Sequence, residues 1–286
     1  MLIKDFPPAS SLKEFVQCYR IVHFEFHNTN DIPFKAYPPK PEQCLHFFLR
    51  DSFATETKDS KKVTQPPILL SGQQTSLVKQ YNGSNFLDLQ IVFQPTAVFR
   101  LTGLPAHELT NQFIDATLVF PKDIKYTFEQ LQQTSGYDQI LEVAENFTNR
   151  LIHRVQKDAH ILDNVSKQLK QSGGNISVDT LAQTAYLCTK QFKRKFHERV
   201  GVNPKTYARI VRFIRAYNLR NRFSTKGWEF IVSKCGYTDY QHLSKDYKEL
   251  TGLTPHELHL LEKQSPENAL QLTEVLYKTR AMYYMD

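Results

Sequence analysis

The sequence predicts an α+β protein, with a β-rich N-terminal part and an all-helical C-terminal third. Short alternating or apolar runs fill the stretch from residue 20 to residue 93, and such runs are typical of strands. Beyond Pro95 the apolar spacing becomes helical, and the last third contains one helical unit twice. At 286 residues the chain is long for one core and has room for two domains of ordinary size.

Four runs in the N-terminal part are predicted to be strands. They are Arg20 to His27, Cys44 to Arg50, Ile68 to Ser71 and Leu87 to Phe93. Prolines interrupt the region and Asn82-Gly83 is a turn signal, which together favour an antiparallel barrel or sandwich.

A long helix is predicted from Asp138 to Val155, with apolar residues at helical spacing and Asp138 as a possible N-cap. Gly173-Gly174 follows another short amphipathic run and is typical of a helix stop.

An internal repeat organises residues 181–255. Leu181 and Ala182 match Ile231 and Val232, which lie 50 residues later. A second block that begins at Phe192 matches one that begins at Leu243, which lies 51 residues later. The matched pairs of the second block are Phe192 and Leu243, Arg194 and Lys245, Phe196 and Tyr247, Gly201 and Gly252, Val202 and Leu253, and Pro204 and Pro255.

Each copy predicts a short helix, a tight turn and a second helix, which is the helix-turn-helix arrangement. Ser177 and Asp239 are expected N-caps, and Pro204 after Asn203 starts a long helix between the copies. The second helices are predicted at 189–199 and 239–249, where long polar side chains on one face could reach base edges in adjacent major grooves. The candidate DNA-binding residues are Lys190, Gln191, Lys193, Arg194 and His197 in the first copy, and Tyr240, Gln241, Ser244, Lys245 and Lys248 in the second.

The net charge of +7 is unevenly distributed. Residues 165–265 contain 18 Lys and Arg against 8 Asp and Glu, whereas the rest of the chain contains 18 against 21. The excess positive charge therefore lies in the helical third, which favours a polyanionic partner. A solvated basic surface would have the same composition, so the repeat must decide between the two interpretations.

Composition excludes several classes. Hydrophobic residues at 41% and charged residues at 23% do not fit a disordered or fibrous chain. The sequence lacks the run of about 18 apolar residues that a membrane span needs, and prolines stand where a signal peptide would be apolar, so we expect a cytoplasmic protein. Its four cysteines lie far apart, which favours reduced thiols over disulfides or a zinc site.

The repeat resembles the DNA-binding domain of the AraC/XylS family of bacterial transcription regulators. The resemblance rests on Leu181-Ala182, the segment 192–196, the segment 201–204, Gly236-Tyr237 and the segment 252–255. It implies two helix-turn-helix units that share the long central helix and read adjacent major grooves. The sequence departs from the family at Tyr186, where the first turn usually has Gly, at Cys188, where a Ser cap is usual, and at His242, where an aromatic is common.

The N-terminal part resembles the uncharacterised N-terminal domains of family members in the Bacteroidetes. This resemblance rests on Tyr37-Pro38-Pro39, the segment 41–44, Gly72-Gln73-Gln74, the segment 92–95 and the segment 100–103. It implies a cupin-like domain for effector sensing or dimerisation. We therefore expect a regulatory domain at 1–105, a helical linker and possible dimerisation segment at 106–160, the DNA-binding domain at 161–265 and a tail at 266–286.

The expected partners are double-stranded DNA, a small-molecule effector, a second copy of the chain and, for an activator, RNA polymerase. No catalytic residue, cofactor or metal site is predicted, because His23, His27 and His46 lack the spacing of a cupin metal site and are expected to be ordinary strand histidines. The alternative is a cupin-type small-molecule-binding protein or enzyme with a basic helical appendage. Bound metal or turnover would favour that alternative, and DNA retardation would favour the regulator.

Overall fold

A computed structural model describes residues 2–27, 32–57, 61–273 and 277. The predicted tail at 266–286 falls mostly outside these described residues. In the described part, no helix is long and apolar enough to cross a membrane.

The strands occupy the N-terminal part, as the sequence predicts. They are β1 (Leu2–Phe6), β2 (Val16–Glu25), β3 (Lys35–Tyr37), β4 (Cys44–Phe48), β5 (Phe53–Glu56), β6 (Val63–Thr64), β7 (Ile68–Ser71), β8 (Val78–Asn82), β9 (Asn85–Phe93) and β10 (Phe113–Asp115). One antiparallel sheet has the order β1-β2-β9-β4-β7-β10, and a second has the order β3-β8-β5-β6.

Both faces of the larger sheet are covered, because successive side chains of a strand point to opposite sides. On β4, Leu45 and Phe47 pack in one core with helices of the following segment, together with Leu89 and Ile91 of β9. The alternate residues of the same strands line a cavity between the two sheets. This two-sided burial explains why β4 and β9 have long apolar stretches with only a few polar residues among them.

The remainder of the chain is helical. The helices are α1 (Ala97–Thr102), α2 (Asp123–Gln132), α3 (Tyr137–Ile152), α4 (Ile161–Gln171), α5 (Val178–Thr184), α6 (Thr189–Val200), α7 (Pro204–Arg222), α8 (Trp228–Cys235), α9 (Tyr240–Thr251), α10 (Pro255–Glu262) and α11 (Pro266–Ala269). Helix α4 ends just before the predicted glycine stop, and Gly173 and Gly174 both have positive φ angles. The α+β class is thus confirmed.

Helix α3 differs from its predicted bounds at both ends. Its N-cap is Gly136, and Asp138 lies in the first turn instead of capping it. The helix ends three residues earlier than predicted because the chain turns back to α1, where Gln156 N–H donates to Arg100 O at 2.9 Å. The buried stripe itself, with Ile140, Ala144 and Phe147, is the one that the sequence predicts.

Candidate nucleic-acid interface

The first helix-turn-helix unit consists of α5 and α6. Ser177 caps α5, since its hydroxyl accepts from Thr180 N–H at 3.0 Å. The helix ends in a Schellman motif in which Tyr186 N–H donates to Gln183 O at 2.9 Å and Leu187 N–H donates to Ala182 O at 3.0 Å. Tyr186 has φ +54°, so a tyrosine holds the left-handed position for which glycine is preferred. The turn keeps its geometry despite this departure.

The second unit consists of α8 and α9. Gly236 ends α8 with φ +72°, and Asp239 caps α9 by accepting from His242 N–H at 2.7 Å. The second helix of each unit, α6 or α9, occupies the position of the recognition helix in a helix-turn-helix and is called so below. Both recognition helices end at a left-handed glycine, Gly201 or Gly252, and each is followed by a helix that starts at a proline. The predicted caps and the register of the repeat are confirmed.

The inward faces of both units pack on α7, which lies between them in the sequence. In the first unit the rings of Phe196 and Tyr207 are 5.7 Å apart, and in the second those of Phe213 and Tyr247 are 4.7 Å apart. Each of these side chains is at most 1% exposed. Two short helical units are therefore fixed on one 19-residue rod.

The outward faces carry the side chains that the sequence predicts to contact DNA. In α6 all five predicted residues are exposed. In α9 Ser244 is half-buried and the other predicted residues are exposed, with the Tyr240 ring resting 5.8 Å from that of Trp228. Several long donors therefore project from each recognition helix, as binding in a groove requires.

Ion pairs fix α9 against α7. Arg209 Nε donates to Asp246 Oδ1 at 2.8 Å, and its guanidinium also pairs with Glu249. Arg212 lies 3.5 Å from the second oxygen of Asp246. Asp246 is only 3% exposed, so a buried carboxylate joins α9 to two arginines of α7.

The N-terminal domain contacts the end of α6. Gln43 Nε2 donates to Val200 O at 2.9 Å, and the Thr110 hydroxyl donates to Gly201 O at 2.7 Å. The rings of His107 and His197 stack with centroids 4.8 Å apart. Burial, and then the charge of His107, lower the pKa of His197. Of the predicted DNA contacts, His197 is thus already engaged with the N-terminal domain.

A cavity of about 60 Å³ lies between the two sheets. Five phenylalanines, namely Phe24, Phe48, Phe53, Phe86 and Phe113, form much of its wall. Its polar lining includes His46, Ser71 and Asp88 from three neighbouring strands of the larger sheet. Lys35 of β3 and Glu267 of α11 also reach it, so a residue that follows the DNA-binding domain in the chain lines the same cavity.

Three of the lining residues form a hydrogen-bonded chain. His46 Nδ1 lies 3.0 Å from Asp88 Oδ2, and His46 Nε2 lies 3.1 Å from the Ser71 hydroxyl. Because a carboxylate only accepts, Nδ1 carries a proton. The Ser71 hydroxyl also donates to Cys44 O at 3.3 Å. Periodicity alone did not predict this hydrogen-bonded chain; polar residues at alternate positions within apolar strands are the signal that points to it.

The histidines on the strands form no metal cluster in the described residues. His23 pairs through Nδ1 with the Tyr137 hydroxyl at 2.7 Å, and His27 is exposed. His46 is held by Asp88 and Ser71 as described above. His23 and His46 lie on strands and contact other side chains, whereas His27 lies two residues beyond the end of β2.

Two family models match separate parts of the chain. Residues 181–259 match a family described as a helix-turn-helix domain, and residues 4–115 match one described as a domain of unknown function, DUF6597. No curated protein matches the sequence.

Among solved structures, the chain is similar to ToxT from Vibrio cholerae. An apo lysine-to-alanine variant of ToxT is 12% identical, with 85% of this chain and 97% of that chain covered and a TM-score of 0.48. A second ToxT structure is 10% identical, with 85% and 98% covered and a TM-score of 0.47. Wild-type ToxT bound to an unsaturated fatty acid is 10% identical, with 85% and 94% covered and a TM-score of 0.45.

The two capped units and the family match define a helix-turn-helix protein, which is a class of DNA-binding transcription regulator. More particularly, the C-terminal part is an AraC-type helix-turn-helix domain, and it follows an N-terminal DUF6597 domain.

Proposed function

We propose that this chain reads a bipartite DNA site, with α6 and α9 entering adjacent major grooves on one face of the duplex. The observation that carries the proposal is the repeated unit on a single rod. At 1.5 Å per residue, the 19 residues of α7 span about 28 Å, which is comparable to the roughly 34 Å of one DNA turn. One chain then reads an asymmetric site without a partner.

The proposed base and phosphate contacts are the exposed residues of the two recognition helices. Lys190, Lys193 and Arg194 supply the positive charge of the first helix, and Lys245 and Lys248 supply that of the second. Most such contacts go to phosphate and fix the register, while a few reach base edges and carry the specificity. The remaining proposed contacts are Gln191, His197, Tyr240, Gln241 and Ser244.

The N-terminal domain is proposed to regulate this binding by holding a small molecule or by pairing two copies of the chain. Helix α3 buries one side on the larger sheet and leaves the other exposed, and Tyr126 of α2 is 60% exposed. A cytoplasmic dimer formed through these helices would double the length of DNA read. If the protein activates transcription, RNA polymerase is a further partner.

The test is selection of bound fragments from genomic DNA by the full chain, followed by footprinting. The proposal expects two protected segments about one turn apart on one face. Protection of one segment only would remove α9 from the interface, and a failure to enrich any sequence would overturn the proposal. Sedimentation of the full chain at high concentration tests the dimer separately.

A hydrolase is the second candidate, because the contacts that run from Asp88 through His46 to Ser71 have the arrangement of a catalytic triad. The His46–Asp88 and His46–Ser71 distances suit a triad. However, the N–H of Gly72, the residue after Ser71, donates to Gln112 O at 3.1 Å and so is not available to stabilise an oxyanion. We therefore expect no hydrolysis of p-nitrophenyl acetate beyond that of the Ser71→Ala variant. A difference between the two proteins would favour the enzyme.

A further inference from the structure

The cavity between the two sheets contains an acceptor without a donor. Asp88 is 2% exposed, and its Oδ2 accepts from His46 at 3.0 Å and from Gln90 Nε2 at 2.7 Å. Its Oδ1 is buried and has no hydrogen-bond partner. Burying a carboxylate oxygen without a hydrogen-bond donor lowers the stability of the folded chain, and a donor from a ligand would remove this cost.

Other charges at the cavity already have partners. Lys35 Nζ lies 2.6 Å from Glu262 Oε1 and 3.3 Å from Glu267 Oε2. Lys40 Nζ donates to the Tyr37 hydroxyl at 2.8 Å, and Glu42 pairs with Arg20 at 3.0 Å. Glu42 is thus paired with Arg20 and Glu267 with Lys35, whereas Asp88 is a lining carboxylate that makes no ion pair with a described Lys or Arg.

The apolar wall is aromatic and continuous. Phe48 contacts Phe53 with ring centroids 4.3 Å apart and Phe86 with centroids 5.8 Å apart, while Phe24 stacks on Phe86 at 6.3 Å. Phenyl faces attract cations and also accept alkyl groups. A ligand that suits this wall and Asp88 together combines a short apolar body with a positively charged donor.

We propose that this cavity binds a small primary or secondary ammonium compound whose N–H group donates to Asp88 Oδ1. Its volume of about 60 Å³ lies well below the ~150 Å³ of a cavity that holds benzene, so the ligand has only a few heavy atoms. The proposal deepens the sensing role proposed above, and it rests on that role only for its effect on DNA, because binding can be measured without DNA.

The proposed ligand site lies close to the DNA-binding half of the chain. Lys35 and Glu267 line the cavity, and Glu262, the partner of Lys35, lies at the end of α10. One hydrophobic cluster also runs from Phe24, Phe48 and Phe86 to Ile214 of α7. A cation beside these carboxylates changes the charges that hold the two halves together.

The test titrates the full chain by calorimetry with three probes of the same length at equal ionic strength. These are n-propylammonium, 1-propanol and propionate. We expect saturable binding of n-propylammonium at least tenfold tighter than of 1-propanol, and none of propionate. Preference for propionate, equal binding of all three, or binding of none would each overturn the proposal.

The variant Asp88→Asn removes the charge and keeps the shape, and it is expected to weaken n-propylammonium binding at least tenfold. Glu108→Gln, which removes an exposed carboxylate outside the cavity, is the matched control and should bind as the wild type does. Unchanged binding by a folded Asp88→Asn chain would overturn the assignment of Asp88. Should that variant lose its circular dichroism spectrum, the three-probe comparison in the wild type decides. DNA retardation by the same preparations, without probe, separates a failed ligand proposal from a failed regulator proposal.

Discussion

Lys35 of β3 donates to both carboxylate oxygens of Glu262 at 2.6 Å, across 227 residues of sequence. Both side chains are buried, and Glu262 also accepts from the hydroxyls of Tyr217 and Tyr277 at 2.6 Å each. The pair joins the small sheet to the last helices of the DNA-binding domain. It links the two halves by charge, as does the contact of Arg100 Nη1 with Asp163 Oδ2 at 3.5 Å.

Removing one member of this pair is expected to destabilise the chain strongly. Glu262→Leu leaves the Lys35 charge buried without its main partner, and such changes cost about 3 to 5 kcal/mol. The double variant Lys35→Met, Glu262→Leu should lose less than Glu262→Leu alone, as measured by urea unfolding. Lys79→Met, which breaks a partly exposed pair with Glu56, is the control and should change stability far less. Additive losses in the double variant would contradict a coupled pair.

Tyr186→Gly is expected to stabilise the chain although it deletes a large side chain. The tyrosine is 89% exposed and has a positive φ, so its removal relieves about 1 to 2 kcal/mol of left-handed strain. The extra freedom of glycine in the unfolded chain offsets roughly 0.5 to 1 kcal/mol of this. Gln183→Gly, within the same helix, should instead destabilise by about 1 kcal/mol. Both shifts are measured by thermal melting, and equal losses would show that the turn is not strained.

The periodicity of the sequence predicted those features that depend on one helix or one repeat unit alone. The caps at Ser177 and Asp239, the start of α7 at Pro204 and the repeat register follow from local chemistry and 3.6-residue spacing, which is why the C-terminal domain could be predicted closely. Tyr186 shows the limit, because the backbone hydrogen bonds of the Schellman motif hold it in a conformation that its residue type disfavours.

Contacts between elements that are far apart in the sequence produce no periodic pattern of residues. The pairing of Lys35 with Glu262, and the stacking of His107 on His197, depend on how the two domains pack. The polar lining of the cavity was missed for a related reason. His46 and Asp88 interrupt strands that are apolar on both faces, and a pattern that sorts residues only into buried and exposed does not identify them.

Stacking on His107 makes the stability contributed by His197 dependent on pH. Burial and the neighbouring ring lower its pKa in the folded chain, so the unfolded chain holds more protons once the pH falls below the ordinary histidine value of about 6.5. Stability from this site is therefore present above that pH and is lost as the pH decreases. In NMR titrations, His107→Ala should raise the pKa of His197 towards its ordinary value. His153→Ala, at an exposed position after α3, should leave it unchanged, and the same response to both variants would contradict the prediction.

Affinity for duplex DNA is expected to decrease steeply with salt, because the positive excess lies in residues 165–265. The logarithm of the affinity should decrease with a slope near −0.9 for each phosphate neutralised. Lys193→Ala and Arg194→Ala should each cost about 1 to 3 kcal/mol with altered preference at particular base pairs if they read bases, or weaken binding uniformly if they touch phosphate. Lys125→Ala, on the exposed side of α2, removes the same charge and should have little effect. A flat salt response would remove the electrostatic argument.

Neutralising Asp246 distinguishes its role in positioning α9 from its contribution to the net charge, because the two effects change DNA affinity in opposite directions. Loss of a negative charge from the second unit should by itself strengthen DNA binding slightly, as we expect for Glu229→Gln on α8, which is exposed. Asp246→Asn also loosens the ion pairs that Arg209 and Arg212 make with α9. We therefore expect it to weaken binding by about tenfold, or ~1.4 kcal/mol. In footprints, the segment read by α9 should lose protection while the segment read by α6 keeps it. Circular dichroism and melting of the variant check that the domain remains folded. If Asp246→Asn binds more tightly and both segments stay protected, the Arg209 and Arg212 pairs do not set the pose of the second recognition helix.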